Sequence, residues 1–164
     1  MSKIFIIGGP GSGKSTLARF LANKNNLNYC ELDELFWDNN NGTAYNTKRD
    51  ANIRDSMLSD ILKKDNWIIE GVWFKEWINP IIEQADEIII LRPPYILRQY
   101  RILKRSLRRF LYLEGKTHKE SLKSIYNLLI WSKSYETELL PQFINKLDMM
   151  KKSYNIIDNK NPTY

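Results

Sequence analysis

Short apolar runs alternate along the chain with segments in which apolar side chains recur every three or four positions. Continuous apolar runs are typical of buried strands, and the three-to-four spacing is typical of helices that pack on a core. The runs predict five strands, at residues 3–7, 28–32, 67–70, 87–91 and 154–157. The periodic segments predict helices at about 14–25, 47–64, 75–84, 95–113 and 119–151, the last broken at Pro141.

Strands and helices that alternate in this way need crossover connections, which favour a parallel sheet covered by helices on both faces. The chain has 164 residues, so we expect a single domain over residues 1–164. Ligands in such α/β folds bind beyond the carboxyl ends of the strands. The residues that follow the strands are therefore the first candidates for function.

The first predicted strand runs into a glycine-rich turn that matches the P-loop pattern, Gly8-x-x-x-x-Gly13-Lys14-Ser15. Glycines let several backbone N–H groups point into one concavity, and the following helix adds its positive dipole end. The pattern predicts a cradle for the phosphates of ATP, with Lys14 on the β and γ phosphates and the Ser15 hydroxyl on Mg²⁺. The predicted cofactor-binding residues of the loop are Gly8, Gly9, Pro10, Gly11, Ser12, Gly13, Lys14, Ser15 and Thr16.

The alternative is a glycine-rich turn that binds nothing. The context argues against it, because the motif lies between a buried strand and a helix whose inner face carries Leu17, Phe20 and Leu21. We therefore expect nucleotide binding.

Two acidic residues follow predicted strands. Asp33 comes after the second strand and Glu70 ends the third. Asp33 is a candidate base for an attacking hydroxyl or a ligand of Mg²⁺ through water, and Glu70 is the better candidate for an outer-sphere Mg²⁺ ligand. For each, the competing interpretation is a helix cap or a solvated loop acid.

The predicted helix after the fourth strand is strongly basic. Residues 92–113 contain seven basic and no acidic residues, in a chain of net charge +6. Arg98, Arg101, Arg105 and Arg108 recur along one side of this helix. A second, apolar stripe is suited to packing on the body of the protein, so that the arginines would face outward or into a cleft; it consists of Ile96, Tyr100, Leu103, Leu107 and Phe110.

Three interpretations of the basic helix remain. As a phosphate lid, it would close over the γ phosphate, where one arginine can supply about 10³ to 10⁵ in rate. As a nucleic-acid surface, it would use Lys104, Arg108 and Arg109 along a phosphate backbone. As a solvated face, it would have no ligand, although exposed helices normally mix charges of both signs. Nucleic acid is the less favoured partner.

Several aromatic residues follow the two acids. Trp37, Trp73, Phe74 and Trp77 are candidates for an acceptor pocket in which a flat ring stacks, with core packing as the alternative. The remaining two tryptophans, Trp67 and Trp131, are assigned to packing.

Composition excludes several classes. No apolar run approaches the roughly 20 residues that a membrane-spanning helix needs, and the first residues lack a signal-peptide pattern, so we expect a soluble cytoplasmic protein without membrane contact. The single cysteine, Cys30, is interpreted as a buried small side chain, and the single histidine, His118, as a solvated residue. No transition-metal site is predicted.

Four segments occur together in one order: the P-loop at residues 8–16, LDELFW at 32–37, WIIEGVW at 67–73 and the arginine helix. With them the chain resembles the adenylate-kinase-like P-loop kinases. It resembles more closely the bacterial DNA topology modulation proteins, FlaR-like, which share a Leu-Asp-x-Leu-x-Trp segment and a Trp-Ile-Ile-acid-Gly segment. The resemblance covers nearly the whole chain.

This resemblance implies a three-layer α/β domain with a five-stranded parallel sheet in the order 2-3-1-4-5. It implies Asp33 on the acceptor side, Glu70 in the Walker B position, Arg98 on the nucleotide, and Arg101 and Arg105 as catalytic arginines of a lid at about residues 92–118. Lys14 and Asp33 complete the implied catalytic set, and Ser15, Glu70 and Asp33 the metal site.

The chain departs from the family pattern twice. Glu70 precedes Gly71 where the family usually has Asp, and Arg92 follows the fourth strand where relatives often carry an acid. A longer carboxylate can still hold a metal-bound water, so the first departure affects the assignment of the site more than the activity.

The leading hypothesis is an ATP- and Mg²⁺-dependent kinase of a small acceptor. A hydroxyl acceptor such as a nucleoside is favoured because Asp33 offers a base, and a phosphate-bearing acceptor would use Arg49 and Arg54. The second hypothesis is a nucleic-acid-associated ATPase or polynucleotide-end kinase. A regulatory GTPase is disfavoured, because the Asn145-Lys146-x-Asp148 match lies in a predicted helix and the chain has no Asp-x-x-Gly motif. Oligomeric state does not follow from the sequence.

Overall fold

The computed structural model describes residues 2–38, 47–110 and 122–158. Two predicted features lie partly outside these ranges: the lid, whose residues 111–118 include His118, and the helix at 119–151, whose first residues are not described.

Five parallel strands form one sheet in the order β2-β3-β1-β4-β5. This confirms the predicted fold class and strand order. The strands are β1 (Lys3–Gly8), β2 (Asn28–Glu31), β3 (Trp67–Gly71), β4 (Glu87–Leu91) and β5 (Asn155–Ile157).

Seven α-helices lie in the described part of the chain. A 3₁₀ turn, Glu76–Ile78, precedes α4, and a π-helical turn, Tyr135–Leu139, joins α6 to α7. The helices are α1 (Lys14–Asn25), α2 (Leu32–Phe36), α3 (Ala51–Leu62), α4 (Asn79–Gln84), α5 (Tyr95–Phe110), α6 (Leu122–Ser134) and α7 (Leu140–Met149).

Alternating residues of β1 divide the core into two layers. Ile4 and Ile6 pack towards α1, with Leu17 and Ala18. Phe5 and Ile7 face the opposite side of the sheet, where α3, α4, the π turn and α7 supply the partners. Helices therefore cover both faces of the sheet. Within the described ranges, no helix is both long and apolar enough to cross a bilayer.

Some predicted boundaries are corrected. Residue 32 begins a short helix instead of ending β2, and α3 begins at residue 51, where the Asp50 carboxylate accepts hydrogen bonds from the backbone N–H groups of Asn52 and Ile53. Pro141 does not break the last helix. It lies in the first turn of α7, directly after the π turn, whose wider i→i+5 bonding passes the chain into α7 without interruption.

The orientation of α5 differs from the prediction. Ile96, Tyr100, Leu103 and Leu107 of the apolar stripe are exposed, and Ile96 is 80% exposed. The buried side carries Arg98, Ile102 and Ser106, with Arg101 and Arg105 half-buried beside them. The arginine side therefore packs towards the P-loop and α6, because this side of the helix meets backbone carbonyls and a carboxylate.

The rotation of α5 can be tested with a matched pair of substitutions. Ile96→Lys places a charge on an exposed side chain and is expected to change the free energy of unfolding by less than about 0.5 kcal/mol. Ile102→Lys places the same charge at a site with 0% exposure and is expected to cost more than about 3 kcal/mol. Urea denaturation measures both. A larger loss for Ile96→Lys than for Ile102→Lys would restore the predicted packing of the apolar stripe.

Candidate active site

The P-loop connects β1 to α1 through two glycines with left-handed backbone. Gly11 has φ 73° and Gly13, the residue before α1, has φ 90°; glycine adopts both without strain. The turn is closed by a hydrogen bond of 3.1 Å from the Ser12 N–H to the Gly9 carbonyl. The loop therefore has the sharp strand-to-helix geometry that the motif predicts.

Arg98 packs directly against the P-loop. A side chain at Gly9 would collide with the Arg98 guanidinium and the Tyr135 ring, and a side chain at Gly11 would lie 2.7 Å from the Arg98 carbonyl oxygen. These two glycines are therefore required for the close approach of α5 and the π turn to the loop.

A carboxylate of the π turn holds Arg98 in place. Arg98 is 1% exposed, and its Nη2 lies 2.9 Å from Glu136 Oε2. The second Glu136 oxygen accepts a hydrogen bond of 2.6 Å from Arg92 Nε. Arg98 also lies 5.8 Å from the ring centres of Tyr95 and Tyr135. In this position Arg98 braces the loop, and its predicted contact with a nucleotide stays a prediction.

Arg101 contacts the P-loop from the same helix. Its Nη1 lies 3.4 Å from the carbonyl oxygens of both Gly11 and Ser12. Arg105 is half-buried two turns after Arg98, on the same side of α5. The structure therefore brings the two predicted lid arginines to the side of α5 that faces the loop, while Arg108 lies exposed.

Glu70 meets the first turn of α1 at the end of β3. The Ser15 hydroxyl donates a hydrogen bond of 2.6 Å to Glu70 Oε1, and Lys14 Nζ lies 3.7 Å from Glu70 Oε2. The predicted nucleotide and metal residues Lys14, Ser15 and Glu70 thus lie together.

Glu70 is 2% exposed. Burial raises the pKa of its carboxyl above the ordinary value of 4.5, and the Lys14 charge and the Ser15 hydrogen bond lower it by less. The neighbouring Glu31 and Asp33 charges add to the rise of this pKa. Glu70 Oε2 is a buried oxygen without a hydrogen-bond donor in the described residues.

These contacts fit a hydrated Mg²⁺ ion. The Ser15 hydroxyl can enter its coordination sphere, and the buried Glu70 oxygens can accept protons from its water ligands. No group of three or more His, Cys, Asp or Glu side chains suited to a metal occurs in the described ranges. The ion would therefore need oxygen ligands from a nucleotide as well.

Glu31 and Tyr29 lie beside Glu70, and neither was predicted as a site residue. Tyr29 Oη lies 2.5 Å from Glu31 Oε1 and 3.3 Å from Glu70 Oε1, and Arg19 pairs with the same Glu31 oxygen. Burial and the hydrogen bond to Glu31 raise the pKa of Tyr29. Glu31 ends β2, so the strand-end rule that selected Asp33 could also have selected it.

Asp33 lies on α2, the short helix that follows β2. Trp73 Nε1 donates a hydrogen bond of 2.7 Å to Asp33 Oδ1. This bond fixes the carboxylate on the wall of a cavity of about 400 Å³, whose described lining is Asp33, Trp37, Val72, Trp73, Phe74, Lys75, Trp131 and Leu139.

The structure changes two of the aromatic assignments and confirms a third. Trp131 is 37% exposed and lines the cavity, so its assignment to packing is wrong. Trp67 is fully buried, as predicted. Trp77 does not line this cavity; it lies beneath the Arg54 guanidinium, 4.7 Å from the ring centre.

Two further predictions can be compared with the structure. Cys30 is buried, and burial raises the pKa of its thiol to about 12, which agrees with a packing role. The Asn145-Lys146-x-Asp148 segment lies within α7, as expected for a match without guanine-reading function.

Glu136 had no signal in the sequence, because its partners Arg92 and Arg98 are distant along the chain.

The strand order β2-β3-β1-β4-β5 and the glycine-rich loop between β1 and α1 define the class of the protein, which is a three-layer α/β P-loop fold. The model of the family described as "AAA domain" matches residues 4–110. The chain belongs to this family.

Two relatives carry the name "Putative adenylate kinase". The protein from Sulfurisphaera tokodaii is 30% identical over 108 residues, which cover 62% of this chain and 54% of the relative. The protein from Saccharolobus solfataricus is 28% identical over 94 residues, which cover 54% and 48%. The matched part of the chain thus spans about half the length of these curated relatives.

Solved structures share the fold over almost the whole chain. A shikimate kinase from Bacteroides thetaiotaomicron superposes with a TM-score of 0.56 at 17% identity, covering 99% of this chain and 89% of that one. A sugar kinase from a Janibacter species gives 0.53 at 18% identity, covering 99% and 87%. At this identity the likeness concerns the fold.

The raised pKa of Glu70 gives a pH-dependent stability. The folded state binds the Glu70 proton more tightly than the unfolded chain, so stability falls as the pH rises from about 4.5 through the folded-state pKa. A glutamine side chain does not ionise, so Glu70→Gln removes the pH-dependent loss of stability. The gain in Tm of this variant over the wild type is therefore expected to be larger at neutral pH than at pH 4.5. A gain of about 1 kcal/mol corresponds to roughly 2–4 °C in a chain of this size.

Calorimetry of the ligand-free protein at the two pH values measures the difference. Asp60→Asn removes an exposed carboxylate paired with Lys63 and serves as the control, with a small change at either pH. If Glu70→Gln lowers Tm most at neutral pH, the ionised carboxylate stabilises the fold and the direction of the pKa shift is wrong.

Proposed function

We propose that the chain is an ATP- and Mg²⁺-dependent kinase that transfers the γ-phosphoryl group to a hydroxyl group of a small acceptor. The proposal is supported above all by the convergence, at one edge of the sheet, of Lys14, Ser15 and Glu70 with the Asp33 carboxylate. The relatives named for adenylate kinase and the fold shared with two small-molecule kinases agree with it.

Each residue has a role that its position permits. The P-loop N–H groups and Lys14 bind the β and γ phosphates, with Thr16 near the α phosphate. Ser15, and Glu70 through water, would hold Mg²⁺, which would supply positive charge against the phosphates. Asp33 accepts the proton of the acceptor hydroxyl, and the hydroxyl oxygen forms a bond to the γ phosphorus. The bond between the γ phosphorus and the bridging oxygen of the β phosphate breaks, and ADP leaves.

The lid belongs to the same proposal. Arg101 and Arg105 lie on the side of α5 that faces the P-loop, and in this proposal they neutralise the charge that develops on the transferring group. In this proposal residues 1–164 act as one kinase domain with the lid at about 92–118. We also propose, from its LDELFW and WIIEGVW segments, that the chain is an adenylate-kinase-like P-loop kinase of the FlaR-like DNA topology modulation group.

The first test is ADP release from ATP and Mg²⁺ across a panel of nucleosides, nucleotides, small hydroxy acids and nucleic-acid ends. We expect release that depends on one small acceptor. Lys14→Ala is expected to abolish it, because the phosphates lose their mobile cation, with the fold retained by circular dichroism. Lys24→Ala, on the same helix but exposed, is the matched control. Unchanged turnover in Lys14→Ala would contradict the P-loop assignment.

The lid arginines separate the kinase from the nucleic-acid hypothesis. Arg101→Ala or Arg105→Ala is expected to lower kcat by about 10³-fold, because each substitution removes a positive charge that stabilises the negatively charged phosphoryl group during transfer. Arg108→Ala, exposed on the same helix, is expected to leave kcat unchanged.

The readouts are steady-state kinetics and DNA affinity at two salt concentrations. The opposite pattern, in which kcat is unaffected and all three variants lose salt-dependent DNA affinity, would favour the nucleic-acid-associated ATPase.

A further inference from the structure

We propose that the acceptor is a planar-ring alcohol that carries no phosphate group. This inference rests on the proposed function and concerns the cavity beside Asp33. It narrows the acceptor to one chemical class, and it separates this chain from kinases that phosphorylate nucleotides.

Half of the described residues that line the cavity are aromatic. Trp37, directly after α2, and Trp73, after β3, have ring centres 6.3 Å apart, and Trp131 contributes from α6. Phe74, Val72 and Leu139 complete the apolar lining. Walls of this kind bury flat rings through stacking and apolar contact.

The aromatic wall is supported from behind. Phe36 stacks on Trp73 with ring centres 4.0 Å apart, and Phe74 lies 5.1 Å from Phe143 and 5.5 Å from Tyr135. The rings that line the cavity therefore have fixed neighbours, so a ligand ring meets a preformed surface and loses little free energy in ordering it.

The two arginines that the sequence offers for a phosphate-bearing acceptor are engaged elsewhere. Arg49 donates hydrogen bonds to the carbonyl oxygens of Glu34, Leu35 and Trp37. Arg54 pairs with Asp55 and lies over the Trp77 ring. Neither lines the cavity, so the residues proposed for a phosphate-bearing acceptor serve to hold α2 and α3.

The charges on the described lining nearly cancel. Among the described residues that line the cavity, Lys75 is the one cation and Asp33 the one anion. Proteins bind phosphate with several donors, preferably arginine forks or clustered backbone N–H groups, because a doubly charged group must be desolvated. One lysine opposite a carboxylate does not provide this, whereas an uncharged ring alcohol needs only the apolar wall and one acceptor for its hydroxyl proton.

Asp33 is oriented for that hydroxyl. Its Oδ1 accepts the Trp73 indole N–H, which fixes the carboxylate plane and ties the base to a ring of the wall. The other carboxylate oxygen is then the one that remains for the acceptor. The same tryptophan thus serves both the base and the ring-binding surface.

The test is equilibrium binding measured by quenching of tryptophan fluorescence, with matched pairs of probes. The pairs are adenosine and AMP, thymidine and TMP, pyridoxine and pyridoxine phosphate, and riboflavin and FMN. Binding is measured in the Lys14→Ala variant without ATP or Mg²⁺, so that it does not depend on phosphoryl transfer. We expect at least one unphosphorylated member to bind, and to bind about tenfold or more tightly than its phosphorylated partner.

Variants locate the binding in the cavity. Trp131→Ala is expected to weaken binding of the unphosphorylated probe about tenfold, and Trp131→Phe much less, because stacking is lost only in the first. Tyr126→Ala is the matched control, since this residue is on the same helix, is 64% exposed and does not line the cavity. Lys75→Met is expected to change the affinity less than about twofold.

Three results would overturn the inference: tighter binding of the phosphorylated members, a loss of tenfold or more in Lys75→Met, or no binding that depends on Trp131 across the panel. Failure of the proposed function is a separate result, namely ATP turnover in the wild type that no acceptor stimulates. If ring alcohols bind through Trp131 while no acceptor stimulates turnover, the cavity still selects uncharged rings but the proposed kinase activity is wrong.

Discussion

The arrangement of the site depends on one buried ion pair, between Arg98 of α5 and Glu136 of the π turn. Arg98 fills the space behind the P-loop that Gly9 and Gly11 leave open, and Glu136 neutralises it there. Removing one partner would leave a buried charge uncompensated, which is costly in an apolar interior. The pair therefore fixes three parts of the chain relative to one another: the phosphate loop, the basic helix and the turn between α6 and α7.

The rotation of α5 follows from this pair. A helix with an arginine stripe and an apolar stripe normally buries the apolar one, because burial of apolar surface is favourable and burial of charge is not. Here the carbonyl oxygens of the P-loop and the Glu136 carboxylate compensate for the desolvation cost of burying the arginine side. As a result, Arg101 and Arg105 lie on the side of α5 that faces the phosphate loop, and Ile96, Tyr100, Leu103 and Leu107 face outward.

The two halves of the candidate site differ in chemistry. The half at the P-loop is charged, with Lys14 facing the buried Glu70, and it suits phosphate and a hydrated cation. The half beyond Asp33 is aromatic and nearly neutral in its described lining. The Asp33 carboxylate stands between them. A reaction in which a proton leaves an uncharged hydroxyl while phosphate arrives from the other side uses both environments.

The family resemblance of the sequence predicted the strand order of the sheet. Local rules located the P-loop, Glu70 and Asp33 along the chain, because a buried strand is an apolar run and the residues at its end reach the ligand edge of the sheet. Tertiary structure decided the side of α5 that is buried, the continuous π turn at Pro141 and the role of Trp131. Two of these depend on partners far away in sequence: the buried side of α5 on the pair of Arg98 with Glu136, and Trp131 on Trp37 and Trp73 in the wall of the same cavity. Periodicity reports which residues share a side of a helix, but only the packed neighbours determine whether that side is favourable to bury.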